Sequence, residues 1–174
     1  PITLVNQETI SARLGADSLR TAIIAGIIGT ILIMLFMLLY YRKLGIFAVF
    51  ALLIYIALTL AIFKLVPITL TLAGLAGFVL TIGMAVDANI LIFERMKEEI
   101  KKGSAMSAAV SAGFRHAWPS IKDSNISTII TAVILYYFAS SFVRGFALTL
   151  LIGVLVSLFS AITTTRLFLD GFLR

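Results

Sequence analysis

Two acids stand in stretches that otherwise read as membrane. Asp87, followed two residues later by Asn89, interrupts the apolar run Leu70 to Phe93, and Asp123-Ser124-Asn125 opens a second run in which Ser124, Ser127, Thr128 and Thr131 keep one side polar. An ionised side chain at the bilayer centre costs roughly 2.5–3.5 kcal/mol on insertion scales, so such groups face protein or a wet path where their charge is used. The chemistry open to a carboxyl group there is proton exchange, because loss of hydration and a neighbouring like charge both favour the neutral acid and bring titration toward neutral pH. Asp87 lies seven residues before Glu94, about 10 Å along a helix, and Asp123 lies about 6 Å beyond Pro119. These similar depths predict that the two acids share one polar region on neighbouring helices. Asn89, Ser124, Asn125 and Thr128 would form its hydrated surroundings, and capping of its own helix is an equal alternative for Asp123.

Composition sets the limits around these residues. Of 174 residues 61% are hydrophobic and 13% charged, with mean hydropathy +1.12, which excludes a soluble globular domain and leaves an all-α integral membrane protein. There is no cysteine and a single histidine, His116, so thiol chemistry, disulfides and a metal cluster have no support, and no cofactor is expected. An intramembrane aspartyl protease would also use two acids. However, Gly83-Met84-Ala85-Val86-Asp87 lacks the Gly-x-Gly-Asp form, and the chain reads as a non-enzyme. The net charge of +6 needs no nucleic acid, since loops facing anionic lipid account for it.

Five spans position the acids, at about 21–41, 44–63, 70–93, 121–143 and 145–165. Gly26 and Gly29 on the first, Gly83 on the third, and Gly153, Ser157 and Ser160 on the fifth read as helix-packing positions. On the third span Ala76, Leu80, Gly83, Asp87, Leu91 and Glu94 share a stripe that predicts a cleft beside Asp87. Between the third and fourth spans, Gly103 closes one helix and Ser104 caps another. Met106, Ala109, Val110, Gly113, Phe114, Ala117 and Trp118 then recur at helical spacing, predicting a short helix over about 104–118 that lies on the membrane with its apolar side down. Pro119 then starts the fourth span, and Glu98 pairs with Lys102 at i,i+4. Residues 1–19 read as an extracytoplasmic approach segment, with Gly15 as a turn and Asp17 as a helix cap. A start at Pro1 without methionine predicts an upstream segment. If the spans alternate, ten Lys and Arg lie on one side and four on the other, making the first side cytoplasmic, the N-terminus outside and the C-terminus inside.

The run GMAVDANILIFERMKEE from Gly83 to Glu99, with Asp-Ala-Asn before an apolar turn and Phe-Glu-Arg, resembles the membrane motif of the SecD branch of the SecD/SecF family, within the RND superfamily of proton-driven transporters. PSIKDSNISTIITA from Pro119 resembles the same family's fourth-span pattern, whereas only Leu14-Gly15 matches near the start. The resemblance implies helices two to six of a six-helix half in the bacterial inner membrane. It also implies a SecF partner supplying the other half, the SecYEG channel, and a translocating preprotein pulled outward at the expense of the proton gradient. Asp87 would be the main proton carrier. Another RND-type exporter of small molecules or lipids and a passive membrane scaffold are the alternatives.

Overall fold

A computed structural model describes residues 12–66, 68 and 70–164, leaving out the side chains of 12–14, 162 and 164. The approach segment over residues 1–11 and the end of the expected fifth span at residue 165 lie outside this range. The described chain is all helical: α1 Ala12–Tyr41, α2 Lys43–Leu65, α3 Leu72–Lys101, α4 Met106–Phe138 and α5 Ser141–Phe159, the last continuing as a π-helical turn Ser160–Thr164. Four of these helices, α1, α2, α3 and α5, are long and apolar enough to cross a membrane. The helix α4 is long enough, but its Lys122, Asp123 and hydroxyl-rich side set it apart in composition.

The helix α1 begins earlier than the sequence predicts. Asp17 is not a cap but lies inside the helix, where its carbonyl accepts the Thr21 hydroxyl at 2.9 Å. Gly15 does not break the helix, because its neighbours favour continued helix and a lone glycine costs only about 1 kcal/mol. The turn from α1 to α2 is the single residue Arg42, held at φ 47° with its amide donating to the Leu38 carbonyl at 3.0 Å. Such a turn crowds the two backbones, and Gly45 answers this, since a Cβ there would strike the Met37 carbonyl.

The helix α3 is the centre of the bundle. Thr71 caps it by accepting the Gly74 amide at 3.1 Å, and Gly103, at φ 90°, closes its far end as the sequence predicts. Its buried side meets α5 through small residues. A Cβ on Gly153 would lie 2.5 Å from Thr81 Oγ1, and one on Gly145 would lie 2.7 Å from Thr71 Oγ1. Ser157 is buried and donates within α5 to the Val154 carbonyl at 2.9 Å, whereas Ser160 reaches α2 and donates to the Ala51 carbonyl at 3.1 Å. Gly26 brings α1 onto Val79 of α3, but Gly29 and Gly83 have no heavy atom within 4 Å of where a Cβ would sit. Neither glycine serves packing within the described chain.

The expected membrane-lying helix is not a separate element. Residues 106–138 form one α-helix that runs through Pro119, and the side carrying Ala109, Val110, Gly113 and Ala117 is buried. Gly113 packs on Met96 and Ile92, and Met96 and Phe93 are fully covered. An apolar stripe can be satisfied by a neighbouring helix as well as by lipid, and here α3 extends far enough beyond the membrane run to supply the cover. Ser104 does not cap α4; Ala105 holds that position, and the Ser104 hydroxyl lies 3.4 Å from Glu99 instead. Among the described residues the Lys and Arg surface ion pairs are Arg95–Glu98 at 2.9 Å, Lys97–Glu94 at 3.0 Å and Lys102–Glu99 at 2.7 Å, replacing the expected Glu98–Lys102 pair. The Glu99 carboxylate, through its hydrogen bond, holds the Lys102 ammonium above the ordinary lysine range.

Tyr55 of α2 is fully buried beside the Thr59 and Thr81 hydroxyls, but these donate to the Tyr55 and Phe78 carbonyls, and the Tyr55 hydroxyl makes no well-formed hydrogen bond among the described residues. An unpaired buried donor costs free energy, so Tyr55→Phe is expected to leave stability unchanged or raise it by about 1 kcal/mol. Unfolding in bicelles measures this; a clear loss of stability would mean that the hydroxyl is paired in the folded protein.

Candidate functional site: an acid at membrane depth

Asp87 lies in the middle of α3 with its side chain outward. Alanine and leucine at positions 76 and 80 mark the same outer line, so the predicted stripe is the exposed face of the helix. Gly83 lies one turn before the acid and leaves open space beside it.

Two hollows meet at Asp87. The first, about 160 Å³, is walled by Met84, Ala88 and Leu91 of α3 and by Ile121, Ser124, Asn125 and Thr128 of α4. The second, about 360 Å³ and mostly apolar, runs from Gly83 and Met84 to Ile33 and Phe36 of α1. The α4 wall is polar in a particular way. Ser124 Oγ and Asn125 Nδ2 both donate to the Ile121 carbonyl, at 3.1 and 2.7 Å, and Thr128 Oγ1 donates to the Ser124 carbonyl at 3.0 Å. With these protons committed to the helix backbone, the hydroxyl oxygens and Asn125 Oδ1 retain lone pairs that can accept. A wall rich in acceptors, to which the second Nδ2 proton of Asn125 adds a donor, suits a protonated carboxyl or water, and the smaller hollow has room for several water molecules.

The structure places Asp87 in one hollow with Ser124, Asn125 and Thr128, but not with Asp123 or Asn89. Asp123 precedes Asn125 by two residues, about 200° around the helix, and is exposed outside the hollow. Asn89 follows Asp87 by the same step and is buried on the other side of α3, at 2% exposure. His116 is half exposed, with Nδ1 3.9 Å from Glu99 in the charged cluster beyond the membrane run. Met84, Ala88, Leu91 and Ile121 complete the hollow. Their signal in the sequence is register, since Met84, Ala88 and Leu91 stand at −3, +1 and +4 from Asp87 and Ile121 at −4 from Asn125.

Known proteins resemble this chain in sequence and in fold. The family model described as protein export membrane protein SecD/SecF, C-terminal, matches residues 2–170. The protein translocase subunit SecD of Thermobaculum terrenum is 53% identical over 174 residues, covering 98% of this chain and 34% of that protein. The SecD subunit of Synechocystis sp. is 52% identical over 166 residues, covering 95% and 35%. The chain therefore spans about a third of the length of these curated relatives. The crystal structure of SecDF from Thermus thermophilus, a translocon-associated membrane protein, matches with TM-score 0.91 at 42% identity, over 94% of this chain and 23% of that one. SecDF in its super-membrane-facing form matches with TM-score 0.85 at 42% identity, over 91% and 22%. Matched along nearly its whole length in sequence and again in fold, the chain belongs to the SecD/SecF family of protein export membrane proteins.

Proposed function

We propose that this chain is the membrane part of a SecD subunit that couples proton movement to protein export, with Asp87 as the proton carrier. The observation that supports this best is the outward carboxyl group at membrane depth, beside a hollow whose α4 wall offers acceptors. Lipid cannot satisfy such a group, so a second membrane segment must cover it. A SecF half is the partner that the family suggests. Together they would form a sealed, hydrated path in which Asp87 takes a proton from one side and releases it to the other, while Ser124, Asn125 and Thr128 hold the connecting water. The wider complex would include the SecYEG channel and a translocating preprotein. Export would be driven outward, with the Arg95 to Lys102 end cytoplasmic and the Arg20 and Lys64 end extracytoplasmic, a reading that the excess of basic residues at the first end supports. No cofactor takes part in this scheme, and the basic loops rest on anionic lipid. Asp123, outside the hollow, has a lesser part at the boundary.

An apolar carbodiimide reacts with protonated carboxyl groups at membrane depth, and it tests the proposal. In the assembled full-length subunit, Asp87 is expected to be modified at mildly acidic and neutral pH and progressively less toward alkaline pH. Modification that is constant across that range, or absent throughout, would reject a titrating carrier.

A further inference from the structure

A third hollow, away from Asp87, lies between α1, α2 and α3, and has a volume of about 330 Å³. Its walls are Ile27 and Ile31 of α1, Leu53 and Ile56 of α2, and Phe78 and Val79 of α3. Thr30, the one hydroxyl in its lining, donates to the Gly26 carbonyl at 2.8 Å and so presents no unpaired proton. The groove is a shaped one. Gly26 is buried and lets α1 close onto Val79, where a Cβ would come within 2.8 Å of the valine methyl. At the other end of α1 and α2, the Arg42 turn holds the two helices together.

Charge is placed at one mouth of this groove. On α1, Arg20, Ile23, Ile27 and Ile31 recur at i, i+3, i+7 and i+11, within about 20° of one line for all but Ile23. On α2, Leu60 and Leu53 stand at i−4 and i−11 from Lys64, on a similar line. Arg20 and Lys64 are both exposed, and each stands one turn beyond the last groove residue of its own stripe. The nearest acid in sequence on these two helices, Asp17, is a further turn away from the groove. A molecule that matches both features has an apolar tail and an anionic head. In a bilayer, lipid tails are as apolar as the groove itself, so selection must come from the shape of the groove and the two cations.

We propose that this groove is a phospholipid site: it holds one acyl chain of an anionic phospholipid from the leaflet nearer Arg20 and Lys64, whose phosphate those two side chains engage. The inference rests on the membrane-spanning arrangement and not on Asp87 carrying protons.

The test uses the full-length subunit in nanodiscs of phosphatidylcholine doped with phosphatidylglycerol that carries a photoreactive diazirine in its acyl chain. Labelling is expected at Ile27, Ile56 and Val79 in excess of Leu35 and Leu39, which are 49% and 70% exposed outside the groove. Leu53→Trp and Ile27→Trp, which fill the groove from different walls, should each suppress groove labelling and leave Leu39 labelling intact. Arg20→Gln and Lys64→Gln lie on the exposed surface and leave the core untouched. Each should lower groove labelling about fivefold at low salt, the value of one basic residue near an anionic headgroup. Equal labelling of groove and Leu39 positions would mean ordinary lipid contact and would overturn the proposal. So would insensitivity to all four substitutions, or cross-links from the groove to another protein segment in place of lipid.

Discussion

Asp87→Asn is expected to abolish gradient-driven stimulation of export while leaving assembly and ATP-driven initiation intact. Asparagine keeps the shape and hydrogen-bonding capacity of the carboxyl group but cannot ionise, so the α4 wall of Ser124, Asn125 and Thr128 still has a partner and the helices still pack. What disappears is the exchangeable proton. In proteoliposomes holding the complete translocase, late translocation should fall to the level seen with the gradient collapsed, and proton flux should fall with it. Asp123→Asn should give a weaker loss, because Asp123 faces away from the hollow. Correctly inserted Asp87→Asn protein that retains gradient-dependent export would remove Asp87 from the proton path.

A different outcome is expected from substitution at Gly77. A Cβ there would lie 2.9 Å from the Phe146 carbonyl and closer still to the Thr149 hydroxyl, so backbone as well as side chain stands in the way. Gly77→Leu is therefore expected to cost about 3 kcal/mol or more, at the upper end for overpacking, because α3 and α5 would have to separate. Gly83→Leu is the contrasting case. With no atom within 4 Å of its Cβ position, it should leave the stability of the five-helix unit within about 1 kcal/mol of the parent. Yet it places a branched side chain beside Asp87 and should impair coupling. Unfolding in bicelles alongside export assays separates the two; equal stability loss at both positions would contradict the packing described here.

Much of this arrangement is legible in the chain itself. Long apolar runs define α1, α2, α3 and α5, that of α3 broken only by Asp87 and Asn89, and the acid on the glycine-bearing stripe of α3 marks the candidate site. Three features escape that reading, for physical reasons. An apolar stripe such as Ala109 to Ala117 specifies that something covers it but not what, so cover by α3 and cover by lipid look alike in sequence. A proline after tryptophan fits the first turn of a new helix, but a helix packed on both sides of Pro119 can absorb one missing hydrogen bond and continue. Depth along a helix says nothing about rotation. Asp87 and Asp123 are matched in depth, yet the two-residue step from Asp123 to Asn125 turns the second acid away from the hollow.

The continuity of α4 has a mechanical consequence. Its 33 residues make a rod about 50 Å long, and Asn125 beside the Asp87 hollow divides it into arms of about 28 Å toward Met106 and about 20 Å toward Phe138. A tilt of about 10° around that fulcrum moves the Met106 end by about 5 Å and the Phe138 end by about 3 Å in the opposite sense. Pro119, six residues from the fulcrum on the longer arm, is the compliant point where the rod can flex without breaking. If a change in charge at Asp87 displaced Ser124 and Thr128 across the hollow, a rod of this length would carry the movement to both of its ends at once, as on a seesaw.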